Sequence, residues 1–210
     1  MNNFETFGAV MVTPRNFYRL METGQAGLLF PGGVREVWHG KGEEYRLFWP
    51  ESTDFVRIAA RFNATIVPLS ALGAAEGVNI LLDSKEMATL PFGLGDRIQA
   101  RSANVTAARF GSDNESELFA PPLVVPKGLP DRHYFMFGRP LDTTDVDPKD
   151  RAGCARLYGE IKDDMERGFA DVRRAREQDP YRGSVARAAT ERLTGRPAPT
   201  FGMGDLSSPQ

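Results

Sequence analysis

The sequence predicts an α/β fold with a mostly parallel sheet flanked by helices and an amphipathic helix near the carboxy terminus. Three observations carry that reading. Short apolar runs of strand length alternate with amphipathic segments between residues 8 and 69. After Pro148, apolar residues recur at three- and four-residue spacing from Leu157 to Val172, a helical period. The 210-residue chain, 41% hydrophobic and 26% charged, has the composition of one soluble globular domain with a sizeable core.

Residues 8–13 (GAVMVT) form a strand-length apolar run that Pro14 closes. Residues 15–23 set Phe17, Tyr18, Leu20 and Met21 on one helical face, and Gly24 supplies the stop. Residues 26–30 make a second short strand, so the unit reads strand–helix–strand with a right-handed crossover and parallel strands. A helix opening at Pro50 and Glu51 presents Phe55, Val56, Ile58, Ala59 and Phe62, and residues 64–69 form a third buried strand. The pattern weakens between residues 73 and 122: residues 84–90 suit a short helix, whereas 93–117 read as a mobile surface insertion without clear periodicity. Residues 133–137 (HYFMF) are an aromatic strand. The long helix follows, with Leu157, Tyr158, Ile161, Met165, Phe169 and Val172 on one face, and Asp179-Pro180 ends it. Such a helix can lie on a membrane or pack on its own domain, and packing is the commoner fate. A shorter helix over residues 184–193 precedes a tail, residues 194–210, that is expected to be disordered.

Bulk properties exclude several functions. A net charge of −2 argues against non-specific binding of nucleic acid. A single cysteine, Cys154, leaves no internal disulfide and no Cys-rich zinc site. No apolar run approaches the length that crosses a bilayer, and residues 1–10 show neither a signal-peptide core nor a transit-peptide composition, so no targeting segment is expected. A serine hydrolase is disfavoured because no Gly-x-Ser-x-Gly elbow occurs.

The chemically suggestive stretch is residues 30–36, FPGGVRE. Gly32 and Gly33 after a short apolar run let backbone N–H groups approach a ligand, and Arg35 can pair with negative charge there. The same residues equally suit a plain turn, with Arg35 tied to Glu36 or Glu43 in an ordinary ion-pair network. Glu36 can take a hydrogen bond from a ligand hydroxyl or cap the loop. Trp38, Tyr45, Phe48 and Trp49 follow closely and suit either an apolar entrance or core filling. Of the two histidines, His39 stands five positions before Glu44, a spacing that allows a base and its orienter, and His133 lies on the aromatic strand.

The block FPGGVREVWHGKGEEYRLFWPE, with FGAVMVTPRN before it and ARFNATIVP, FGRPLDT and EQDPYR after it, resembles the diacylglycerol acyltransferase family, in its plastid phytyl ester synthase branch. The resemblance runs from Phe7 to about Arg182 and implies a lysophospholipid-acyltransferase-like domain over residues 1–193. It implies transfer of a fatty acyl group to a lipid alcohol, diacylglycerol or phytol, giving neutral lipid esters. The donor would be acyl-CoA, acyl carrier protein or a galactolipid, with no cofactor or metal. It further implies a chloroplast or plastoglobule setting, with peripheral contact to a membrane or lipid droplet. By the same resemblance, Arg15, Gly32, Gly33, Arg35 and Glu36 correspond to the acceptor-binding part.

The family's His-x-x-x-x-Asp dyad, base and orienter, is not present in this sequence: the position after four residues is Glu44 behind His39 and Gly138 behind His133. His39 also falls after the glycine pair, whereas the family's dyad precedes the strand equivalent to residues 8–13. The expectation is therefore a domain lacking its amino-terminal part, inactive alone and without a catalytic residue. A non-catalytic lipid-binding or scaffold role is the alternative.

Overall fold

A computed structural model describes residues 13–102, 121–127 and 131–200. Helix α1 (Pro14–Glu22) starts where Pro14 sets the first turn and the Thr13 hydroxyl accepts a hydrogen bond from Asn16 N–H at 3.1 Å. The segment after it leads through Pro31 and Gly32, both buried, into the single-turn helix α2 (Gly33–Val37). Helix α3 (Asp54–Arg61) buries Phe55, Val56, Ala59 and Ala60 and packs on α1, with Tyr18 and Phe62 edge to face at 4.9 Å.

Strand β1 (Leu69–Leu72) leads by a 3₁₀ turn (Ala75–Gly77) into β2 (Val78–Leu82). Helix α4 (Ser84–Ala88) carries a complete capping box, Asp83 with Glu86, and α5 (Leu94–Ser102) follows. Strands β3 (Leu123–Pro126) and β4 (Tyr134–Phe137) precede helix α6 (Arg151–Gln178), capped by Asp150, and α7 (Ser184–Thr194).

The sheet is a correction to the expected mostly parallel arrangement. β1 pairs with β4 and β2 with β3, each as a two-stranded antiparallel ribbon, and the isolated bridge Ile66–Leu141 is antiparallel too. The expected strand over residues 26–30 has no strand partner among the described residues: Leu29 turns into the core while Leu28 and Phe30 stay exposed. Five apolar residues fit a strand or an extended connection equally well, and only a neighbouring strand decides between them. The expected strand over residues 8–13 falls, but for Thr13, outside the described residues. The third expected strand survives in displaced form, as the Ile66 bridge followed by β1.

Helix α6 organises the core. Its first half places Cys154, Leu157 and Ile161 against Phe55, Val56 and Leu141, and Trp49, Phe55 and Tyr158 meet in a three-ring cluster with centroids 5.6–5.8 Å apart. Its second half lays Val172 beside Leu72 and Tyr134. Gly168 permits that approach, because a Cβ there would strike Ser70 Oγ and come within 3.0 Å of Met136 Cε. The long amphipathic helix thus packs on its own domain. A two-stranded ribbon is marginal alone in water; α6 holds the β1–β4 ribbon, and α4 packs beside β2 of the other. No helix among the described residues is long and apolar enough to cross a membrane.

The start of the tail makes defined contacts. Arg132 donates to the carbonyls of Ala198 (3.0 Å) and Pro199 (2.6 Å) and pairs with Asp179 at 3.0 Å. Asp179 also accepts from Tyr134 Oη (2.7 Å) and Tyr181 N–H (2.7 Å), so the DPY break after α6 is tied to β4. Residues 201–210 lie outside the described residues.

Candidate functional site

The glycine-pair block folds back on itself. Gly33 donates its N–H to Phe30 O at 3.1 Å and adopts φ +53°, a left-handed conformation that suits glycine. Gly32 is buried, and the Glu36 side chain occupies the space a Cβ at Gly32 would need. Glu36 then accepts the Phe48 N–H at 3.0 Å, which fixes the far end of the loop against α2.

Arg35 lies between two partners. Its guanidinium donates to Glu43 Oε2 at 2.7 Å and stacks over the Phe48 ring at 3.6 Å. Glu43 Oε2 also accepts the Gly40 N–H at 2.8 Å. Burial pushes the Glu43 carboxyl up, but the Gly40 N–H and the Arg35 charge outweigh it and hold the group below its usual range. The Glu43 alternative for Arg35 is the one the structure realises. Arg15 stands apart, exposed on α1, while Gly32, Gly33, Arg35 and Glu36 share one compact turn.

His39 is 9% exposed, and its Nδ1 lies 3.2 Å from the Glu36 carbonyl oxygen, the geometry in which Nδ1–H donates. Nε2 is buried and finds no hydrogen-bond partner among the described residues. The carboxylate that follows at the family spacing, Glu44, is exposed, and no hydrogen bond joins it to His39. His133 is exposed beside β4. Among the described residues no group of His, Cys, Asp and Glu is placed to hold a metal ion.

Of the four aromatic residues after the glycine pair, Trp49 joins the core cluster and Tyr45 packs on Phe169 with centroids 5.9 Å apart. Phe48 serves as the Arg35 platform. Tyr45 does more than its place among four aromatic residues suggests. It adopts φ +63°, receives the Gly73 N–H at 3.0 Å and donates to Glu76, which in turn pairs with Arg176. Burial, with the Glu76 hydrogen bond, pushes the Tyr45 hydroxyl up to about 12. Burial would raise Glu76, yet the hydrogen bonds from Tyr45 and Arg176 keep it below the ordinary carboxylate range. A cavity of about 550 Å³ adjoins this network. No spacing signal reveals such a site, because its members lie 31 and 100 positions apart in sequence.

No protein-family model matches the chain. No solved structure matches it either. Among curated proteins, the chain is 36% identical over 188 residues to phytyl ester synthase 1, chloroplastic, of Arabidopsis thaliana, covering 87% of this chain and 27% of that protein. It is 37% identical over 191 residues to phytyl ester synthase 2, chloroplastic, of the same plant, covering 89% of this chain and 27% of that one. The chain thus spans about a quarter of the length of the curated relatives it matches. Identity at this level over a segment of this length reflects common descent: the chain is similar to one portion of two proteins named phytyl ester synthase.

Proposed function

We propose that the chain is the acceptor-side portion of an O-acyltransferase that passes a fatty acyl group to a lipid alcohol, phytol or diacylglycerol, in the chloroplast. The observation that carries the reading is the 36–37% identity to two proteins named phytyl ester synthase. In this reading the turn from Gly32 to Glu36 shapes the polar end of the acceptor site, Gly33 through its backbone and Arg35 through a guanidinium already oriented by Glu43 and Phe48. Arg15 contributes from the neighbouring helix. The donor is a thioester or a galactolipid, and the product is a neutral lipid ester stored at a membrane or plastoglobule surface.

The reaction needs a general base, a group that typically contributes roughly a hundred- to ten-thousand-fold in rate. His39 is a poor candidate, because its free nitrogen is buried and Glu44 does not orient it. The chain alone is therefore expected to be inactive. The test incubates it with labelled acyl thioester and either phytol or diacylglycerol, beside a protein of the relatives' full length. Ester formation only by the longer protein supports the acceptor-side reading. Turnover by the 210-residue chain that His39→Ala abolishes would install His39 as the base. Failure of the longer protein with every acceptor, while the chain still binds phytol-bearing vesicles, would favour the lipid-binding or scaffold role.

A further inference from the structure

We infer that the cavity between the Gly40–Tyr45 loop, the 3₁₀ turn and β2 is a binding site for a phosphate monoester carried on a hydroxyl- or amide-bearing arm. The cavity measures about 550 Å³, within the range of small-molecule sites and well beyond the needs of a bare ion. Its floor is rigid: Tyr45 is fixed by Gly73, Glu76 and the Phe169 ring, and Glu76 is neutralised by Arg176. The loop above it is pinned at Lys41, which holds both oxygens of Glu86 at 2.9 and 2.6 Å, and bends at Gly42 with φ +76°.

The lining charges are unequal in their commitments. Lys127 and Arg173 line the cavity and have no ion-pair partner among the described residues, whereas the next residue along the helix, Arg174, pairs with Asp171. Two uncommitted cations in one concavity draw a dianionic phosphate, which takes charge-assisted bonds from both. Glu44 also lines the cavity and disfavours a second anionic group, so the rest of the ligand must be neutral. Glu44 and Asn79 suit hydroxyl or amide donors, and Val78 and Ile80 give a short apolar wall. A nucleobase lacks its stacking platform here, because the Tyr45 ring is packed on Phe169. Such an arm could come from phosphopantetheine or from a phosphorylated glycerol headgroup. The site stands whether or not the chain transfers acyl groups.

Calorimetric titration of the full chain with 4′-phosphopantetheine and, separately, glycerol 3-phosphate tests the assignment. Saturable binding is expected, weakened about tenfold by either Lys127→Ala or Arg173→Ala, lost in the double variant and weaker at high salt. Tighter binding of 4′-phosphopantetheine, with a selective loss in Asn79→Leu, would assign the arm to an amide-bearing chain of the pantetheine type. Equal binding of both would assign recognition to the phosphate and the first hydroxyls. Both cations are exposed, so the variants should keep the parent melting transition. A readout in the unmodified protein is protection of Lys127 from an amine-acylating reagent by saturating ligand. No binding of either compound at millimolar concentration, binding unchanged in the double variant, or an unprotected Lys127 would each overturn the site.

Discussion

Replacing Arg35 with alanine separates a scaffold role from a purely ligand-binding one. The guanidinium sits 2.7 Å from Glu43 with side chains 12% and 18% exposed, and 3.6 Å above the Phe48 ring. Breaking a fully buried pair costs about 3–5 kcal/mol and an exposed one about 0–1 kcal/mol. This pair lies between those limits, and Glu43 keeps the Gly40 N–H after the change, which lowers the cost. Loss of the stacking on Phe48 adds about 0.5–1 kcal/mol. Arg35→Ala should therefore destabilise the chain by about 2–3 kcal/mol, a fall of roughly 4–12 °C in melting temperature at this size. Urea unfolding of Arg35→Ala, Glu43→Gln and the double variant measures the pair, with a coupling energy of about 1–2 kcal/mol expected. The effect has a pH signature. The Glu43 carboxyl is depressed in the folded state, so its contribution is complete above the unfolded value near 4 and fades as pH falls below it. The gap between parent and Arg35→Ala should narrow in acid. Variants that unfold within 0.5 kcal/mol of the parent, or a cycle that shows no coupling, would mean that the Arg35–Glu43 pair does not hold the loop together.

Tyr45→Phe should cost about 1–3 kcal/mol, because Gly73 N–H and Glu76 both lose the hydroxyl that joins them; unfolding free energies equal to the parent's would sink that reading. The Tyr45 and Tyr158 hydroxyls are both pushed up to about 12, so the folded state holds their protons longer than the unfolded chain, and stability should fall as pH rises from about 10 to 12; tyrosinate absorbance and melting followed together check this. Gly168→Ala should destabilise by about 1–3 kcal/mol through its clash with Ser70, and Ser70→Ala should restore part of the loss; an unaffected melting temperature would mean that α6 can move off β1 without penalty. Cys154 is fully buried and burial pushes its thiol up, so thiol reagents should modify it only as the chain unfolds, and prompt reaction in the native state would contradict the core assignment.

The strongly periodic helices were the legible part of this chain, whereas α5 (Leu94–Ser102) lies in the stretch expected to be an insertion without periodicity, and the single turn α2 carries no period at all. The spacing of Phe17, Tyr18, Leu20 and Met21 marks α1, although Pro14, expected to close a strand, is its first residue, and the three- and four-residue spacing through Val172 marks α6, because a helix satisfies its backbone locally and its period is printed in its own residues. Sheet order was not legible. Whether residues 64–72 pair in parallel or antiparallel depends on which strand arrives beside them, and that partner, Tyr134–Phe137, lies more than sixty positions away. The pattern also misleads because β4 is apolar on both faces: Tyr134 is buried against α6, whereas Phe135 and Phe137 are each 65% exposed. The ribbon of β2 and β3 escaped notice for the related reason that Val78–Leu82 sits in a stretch of weak periodicity, with its partner at Leu123–Pro126. At the site, the glycine pair and Arg35 were legible as a unit because they are contiguous, while the Tyr45–Glu76–Arg176 network exists only after folding.

The geometry of the glycine-pair block also says what kind of importance its residues have. Arg35, Glu36, Glu43 and Phe48 hold one another: the guanidinium spans Glu43 and Phe48, Glu36 takes the Phe48 N–H, and Gly32 leaves room for the Glu36 side chain. A polar residue in a binding block can touch a ligand or fix the loop that does, and each of these already has a loop-fixing partner. A methyl at Gly32 must displace Glu36, which releases the Phe48 N–H and unseats the Arg35 platform. The residues of this block therefore form a self-consistent turn whose shape depends on all of its members. If this turn is the acceptor site proposed above, the ligand-facing chemistry falls to backbone groups near Gly33, whose φ of +53° suits glycine. Loss of function in this block should accordingly follow the shape-breaking changes at Gly32 and Gly33 more closely than the charge changes at Glu36.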